Sequence, residues 1–201
     1  MNGFERRKEK KIEQIYQASL QLFSKYGFQK VSVNEIAQTA QVSPATIYNY
    51  FGTKEQLYAE MLMNWMDKQL EQYDEILDSA LSFPEKTKEI MLREAQNLKL
   101  LSDRIAIASS SDWNDWRGKV AVYGEEKAAA FFMKYVSLGK REGYIRQDQS
   151  EEIAILYFTM FKNELGRYWD GERSPEELTG ILDPMLELFF YGLVGQGGKL
   201  I

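Results

Sequence analysis

Three observations predict an all-α fold. Apolar residues recur at intervals of three and four along most of the chain. Ser or Thr repeatedly precedes Glu or Gln by three residues, the signature of a helix start, and no stretch alternates with the period of a strand. The elements follow in order. Ile12, Ile15, Tyr16, Leu20 and Phe23 form one stripe of a first helix that stops at Tyr26-Gly27, where glycine accepts the left-handed cap. Ser32-Val-Asn-Glu35 is a capping box, and the second helix it opens has Val33, Ile36, Ala37 and Ala40 on its inner face. Ser43 caps and Pro44 begins a short third helix, because proline's missing N–H is not needed at that position. Ile47 and Phe51, four apart, plug into the first two helices. Thr53-Lys-Glu-Gln56 reads as a second capping box opening a long fourth helix to about Ser79. Phe83-Pro84 opens the next helix, to about Leu101. The polar stretch 109–118, with two tryptophans, reads as an irregular connection, and helix resumes over 119–141. Ser150-Glu-Glu152 caps a helix to about Asp170, and Ser174-Pro-Glu-Glu177 opens a last one that Pro184 bends or divides. The predicted organisation is a three-helix helix-turn-helix domain at 1–54 and a larger helical domain at 55–201.

Composition narrows the chemistry. The 201 residues include no Cys and no His, which removes disulfides, Ser-His-Asp and Cys-His catalysis and the common zinc sites. No pair of acids has a distinctive arrangement, so no cofactor, no metal and no enzyme activity are expected. The net charge of −5 is unevenly divided: residues 1–54 hold eight basic and four acidic side chains, whereas residues 55–201 hold 17 basic and 26 acidic ones. A basic head on an acidic body suits a nucleic-acid reader attached to a regulatory domain. No apolar run approaches membrane-spanning length, and the charged N-terminus is followed by no apolar signal segment, so a cytoplasmic protein with no membrane partner is expected. An amphipathic anchor at 5–26 is disfavoured by the Glu residues mixed among its Lys.

Two short helices joined around Gln41-Val42 make a helix-turn-helix, whose second helix enters the DNA major groove. At this level of detail Ser32 to Leu57 resembles the DNA-binding domain of TetR/AcrR-type one-component transcriptional regulators. The likeness extends back through Ile12 to Gly27 and covers residues 10–60, about a quarter of the chain. It rests on Tyr-Gly-Phe, Val-Asn-Glu-Ile-Ala, Val-Ser, Thr-Ile-Tyr-x-Tyr-Phe and Thr-Lys-Glu-x-Leu in register. Two positions depart from the family pattern. Gln41 stands in the turn where Gly is common, so a left-handed backbone there costs about 1 kcal/mol. Ala45 also replaces a common Gly and places a methyl group toward DNA.

Side-chain chemistry assigns the DNA contacts. Thr46, Tyr48, Tyr50 and Lys54 carry hydroxyls or an ammonium suited to phosphate oxygens, a role the resemblance implies for Tyr48, Tyr50 and Lys54 in particular. For Tyr48, packing as core is the open alternative. Lys54 opposes the dipole of the helix it starts, a penalty that a phosphate offsets. Ser32 and the start of the second helix offer backbone N–H groups to another phosphate. Base reading falls to Pro44, Ala45 and Asn49, with Asn34 and Gln41 as outer candidates; Asn49 can pair with adenine and Ala45 can touch a thymine methyl. Arg6, Arg7, Lys8, Lys10 and Lys11 read as a mobile basic arm.

For the body, the resemblance implies ligand binding and dimerisation, with the fourth helix linking pocket to reading head. Ile153, Leu156, Tyr157, Met160 and Phe161 recur at helical spacing, as do Met185, Leu186, Phe189, Phe190 and Leu193, and both stripes are candidates for a homodimer interface. Met61, Trp65, Trp113, Trp116, Tyr123, Phe131, Tyr135, Phe158 and Trp169 supply aromatic and Met surface for an apolar or aromatic effector. The expected protein is a repressor that binds a palindromic operator in double-stranded DNA as a homodimer and is released by an unidentified small molecule. A regulator controlled by a protein partner is the first rival, and an enzyme or helical carrier without DNA is the second.

Overall fold

The computed structural model describes residues 3–102, 111–168 and 175–191, and over these the chain is helical with no strand. The helices are α1 (Gly3–Tyr26), α2 (Val33–Thr39), α3 (Pro44–Phe51), α4 (Lys54–Asp78), α5 (Phe83–Ser102), α6 (Ser111–Arg141), α7 (Glu151–Tyr168) and α8 (Pro175–Tyr191). They fall into two compact units: Met1–Leu70 with Leu100–Ala128, and Glu71–Lys99 with Ala129–Ile201.

The first unit closes around the side chains that helical spacing selects. Ile15 and Phe23 of α1, Val33, Ile36 and Ala37 of α2, and Ile47 and Phe51 of α3 are buried together with Leu57, Tyr58 and Met61 of α4. Each large apolar side chain removed from water contributes about 1.5–3 kcal/mol. Phe23, Phe28 and Tyr58 form a ring triad with centroids 5.0–5.4 Å apart. The Tyr58 hydroxyl is pushed well above its usual range by burial. The turn after α1 uses Gly27 at φ +81° with its N–H on the Phe23 carbonyl at 2.8 Å, the cap its sequence predicts. Tyr16 of α1 donates to Glu60 of α4 at 3.3 Å, and Lys68 pairs with Glu13, so α1 and α4 are also joined by polar contacts.

In the second unit Phe83, Tyr135, Val136, Phe158 and Leu186 are buried. Glu85 caps the start of α5 from within the helix: both the backbone N–H and the hydroxyl of Ser82 donate to its carboxylate, at 2.8 and 2.6 Å. α4 has no basic residue in its last turn, and buried Lys86 supplies the cation from α5, donating to the Leu77 carbonyl at 2.8 Å. Gly139 marks a close approach, since a Cβ there would lie 2.7 Å from both Phe83 and Ile145.

Four sequence expectations are corrected. Arg6, Arg7, Lys8, Lys10 and Lys11 are not a mobile arm but the first turns of α1, which begins at Gly3. Residues 4–26 contain neither Gly nor Pro and are rich in Lys, Arg, Glu and Gln, all good helix formers. The connection expected at 109–118 is helical from Ser111 onward. Ser and Asp mark loops, but they are equally favoured at helix starts, where acidic groups also complement the dipole. Thr53 does cap α4, its Oγ1 accepting from the Gln56 N–H at 3.0 Å, but the Gln56 side chain reaches forward to Glu60 at 2.9 Å instead of completing the box. α8 continues through Pro184 instead of dividing there. Pro184 is itself exposed, and a proline can interrupt a helix's hydrogen bonding without ending the helix.

Candidate nucleic-acid interface

The geometry of α2 and α3 begins with their caps. Ser32 accepts from the Glu35 N–H at 3.2 Å while the Glu35 carboxylate accepts from the Ser32 N–H at 2.7 Å, which completes the box and fixes where α2 starts. Glu35 is held below its usual carboxylate range, first by its hydrogen bond with the Ser32 hydroxyl and then by that with the Ser32 backbone. Between the helices the Val42 N–H reaches the Ala37 carbonyl at 3.0 Å, and Gln41 adopts φ +56°. The left-handed turn is therefore made by a residue with a Cβ, at the cost its sequence position implies. Ser43 then caps α3, accepting from the Thr46 N–H at 3.2 Å and sharing a hydroxyl hydrogen bond with Thr46 at 2.9 Å.

With Ile47 and Phe51 buried, the opposite side of α3 is fixed. Pro44, Ala45, Tyr48 and Asn49 are exposed, Tyr48 to 52%, so Tyr48 is not core. Thr46 and Tyr50 are half-buried. The Tyr50 ring meets Phe51 edge-on at 6.2 Å, and the Lys8 ammonium of α1 lies 5.9 Å from its centroid. Lys54 sits with its ammonium 4.2 Å above the Phe28 ring. Burial pushes the Lys54 pKa down, opposed by the charges of Glu55 and Glu35. Asn34 of α2 and its capping residue Ser32 are exposed. The Ser32 N–H offered to phosphate in the sequence reading is occupied by Glu35, whose charge lies at the same helix start.

Sequence reasoning missed Phe28 and Lys8 as positioning residues. Phe28 was visible only as part of Tyr-Gly-Phe, and Lys8 as one cation in a run. Their roles depend on contacts between segments distant in sequence.

The aromatic residues expected to form one pocket are distributed differently. Met61 is buried in the first unit's core, and Trp116 packs partly against it. Trp65 is half-buried, and Tyr123 donates to Asp67 at 2.5 Å. Phe131 packs on Tyr73 in the second unit, at 5.6 Å. Tyr135 and Phe158 line a cavity of about 350 Å³ in the second unit. That cavity is also lined by Ile153, Tyr157 and Phe189, all three expected at a dimer interface. The Trp113 side chain, Trp169 and Leu193 lie outside the described residues.

Among the described residues no group of His, Cys, Asp or Glu is arranged to hold a metal ion, and no helix is long and apolar enough to cross a membrane.

Two capped helices meeting at a tight turn, the second with a buried apolar side and an exposed outer face beside a lysine, define a helix-turn-helix of the kind that binds DNA. Residues 15–61 match the profile of the bacterial regulatory proteins of the tetR family. Over those residues the chain is similar to that family, whose members are transcriptional regulators. It is 31% identical over 74 residues to the HTH-type transcriptional repressor KstR2 of Mycolicibacterium smegmatis, covering 37% of this chain and 36% of that one. The chain therefore spans about a third of that relative's length. It is 23% identical over 179 residues to the uncharacterised HTH-type transcriptional regulator YhgD of Bacillus subtilis, covering 84% and 91% of the two chains. The fold resembles that of the transcriptional regulator FadR of Bacillus subtilis, solved in complex with stearoyl-CoA, with a TM-score of 0.68, 19% identity and coverage of 90% and 99%.

Proposed function

We propose that this regulator is a homodimeric repressor that binds a palindromic operator and releases it when a small apolar or aromatic effector binds. The observation that carries the DNA half of the proposal is the exposed side of α3, where Pro44, Ala45, Tyr48 and Asn49 stand free beside Lys54. Asn49 reads an adenine, Ala45 meets a thymine methyl, and Pro44 fits the groove at the helix start. Tyr48, Tyr50 and Lys54 hold phosphates, with Thr46 beside them. Lys54 is partly desolvated and lies at a helix N-terminus, so an arriving phosphate oxygen adds to the carboxylates of Glu55 and Glu35 in stabilising its charge. Asn34 contacts the groove edge from α2. Residues 1–54 form the reading head and 55–201 the regulatory body, and a protein of this kind works in the cytoplasm where its DNA is.

Dimerisation is supported by apolar residues left in the open. Ile153, Leu156, Tyr157 and Met160 of α7 are 52, 53, 46 and 59% exposed at spacings of three, one and three residues, a single helical stripe. Leu188 and Tyr191 of α8 are 43 and 64% exposed, with Met185 and Phe189 half-buried on the same helix. Two copies paired through α7 and α8 form a four-helix interface. α4 runs without a break from Lys54 to Asp78, from beside the recognition helix into the second unit, and serves as the lever. An effector with different affinities for two settings of that helix shifts the spacing of the two recognition helices, which must lie about one turn of DNA apart.

Selection from randomised duplex DNA tests the proposal. An enriched palindrome with two separated half-sites and steep salt dependence is the expected result. Enrichment of no sequence by protein unfolded, stripped of ligand and refolded would refute it.

A further inference from the structure

We propose that the 350 Å³ cavity of the second unit is the effector site, and that it takes a compact aromatic or alicyclic carboxylate. This rests on the effector-controlled dimer proposed above. The floor is formed by Phe83, Tyr135 and Phe158, which are 1, 2 and 4% exposed. Its one polar atom among those three rings is already engaged, the Tyr135 hydroxyl sharing a hydrogen bond of 2.8 Å with Thr87. Such a floor offers ring faces and edges but no free donor: Phe83 lies 4.8 Å from Tyr135 and stacks on Tyr144 at 5.3 Å. An apolar ring system is the occupant that satisfies it. The volume lies at the small end of the range for ligand pockets, so the occupant is compact.

The polar side of the cavity is supplied by Arg146 and Gln149. The guanidinium of Arg146 reaches Asp148 at 3.4 Å and Gln149 at 3.4 Å, both long, and the Arg146 and Asp148 side chains are 77 and 78% exposed. An ion pair of that kind adds little, so a ligand carboxylate can replace Asp148 and gain the two-pronged geometry that arginine favours. The other side is formed by Ile153 and Tyr157, which also belong to the exposed α7 stripe. Tyr157 stacks on Phe189 of α8 at 5.1 Å and donates to its carbonyl at 3.1 Å, fastening α7 to α8 beside the cavity. Occupancy and dimer geometry therefore act on the same two helices.

The test is equilibrium dialysis of 2-naphthoate against the purified full chain. Saturable binding at one site per chain is expected. Ala154→Phe, placed in the lining, should weaken it about tenfold or more by filling the space. Gln149→Trp should do the same from the rim if the first variant does not fold. Arg146→Ala should weaken 2-naphthoate about fivefold while leaving neutral 2-methylnaphthalene unchanged. No saturable binding to the wild-type chain, or binding undiminished in both blocking variants, would overturn the assignment. If the wild-type chain binds no operator, the regulator proposal fails, whereas the dialysis still decides whether the cavity is a site.

Discussion

In the first unit the apolar side of α3 is fully used, with Ile47 and Phe51 at 1 and 2% exposure, and what remains outside is small or polar apart from Tyr48. In the second unit the apolar residues of α7 are not used up: Phe158 is buried, but Ile153, Leu156, Tyr157 and Met160 stand in the open. A helix whose apolar side is satisfied within its own unit is free to present hydrogen-bonding groups to a polar partner such as DNA. A helix with a second apolar stripe leaves room for another apolar surface, which in the proposed dimer a second copy of the chain supplies by symmetry. The same residue types thus serve opposite ends, and exposure separates them.

That contrast can be broken most forcefully at Phe51. Phe51→Ala should cost about 3–5 kcal/mol in chemical denaturation and abolish operator binding, because it empties the core that holds α3. On the other helix, Leu156→Asp with Met160→Asp should weaken dimerisation by about 2 kcal/mol or more in sedimentation while leaving the helical signal of the chain intact. A dimer as stable as wild type would remove α7 from the interface. Asn49→Ala should lower discrimination at one base position per half-site by about 1–3 kcal/mol, and an unaltered base profile would take it out of the readers. Lys54→Ala should weaken all duplexes alike and reduce the salt slope by about 0.9 for each protomer, the signature of one phosphate. The smallest change is at the turn. Gln41→Gly relieves the positive φ and should gain at most about 1 kcal/mol in thermal unfolding, with no such gain if the strain is absorbed elsewhere.

The same division explains what could be read from the sequence. The helix-turn-helix was legible because its determinants are local: Ser32 with Glu35, Ser43 with Pro44, and Ile47 with Phe51 lie within one or two turns of each other. Even the cost at Gln41 could be anticipated from its place in the turn. The start of α6 was not legible, because Ser and Asp favour loops and helix starts equally. The cavity was least legible. Met61, Phe131 and Phe158 have the same periodic signature, yet one lies in the core of the first unit, one packs on Tyr73, and one lines the cavity. Only the pairing of distant helices distinguishes them. Arg146 and Gln149 lie in the α6–α7 connection and carry no periodic signal at all.

The central claim is that the open side of α3 lies on DNA. A photoreactive phenylalanine analogue in place of Tyr48 tests it, with the same analogue in place of Met133, 52% exposed in the second unit, as reference. On the selected duplex, position 48 should crosslink at two places about one helical turn apart, and position 133 should not crosslink. Equal crosslinking from both positions, or none from position 48 while the duplex is bound, would contradict the account.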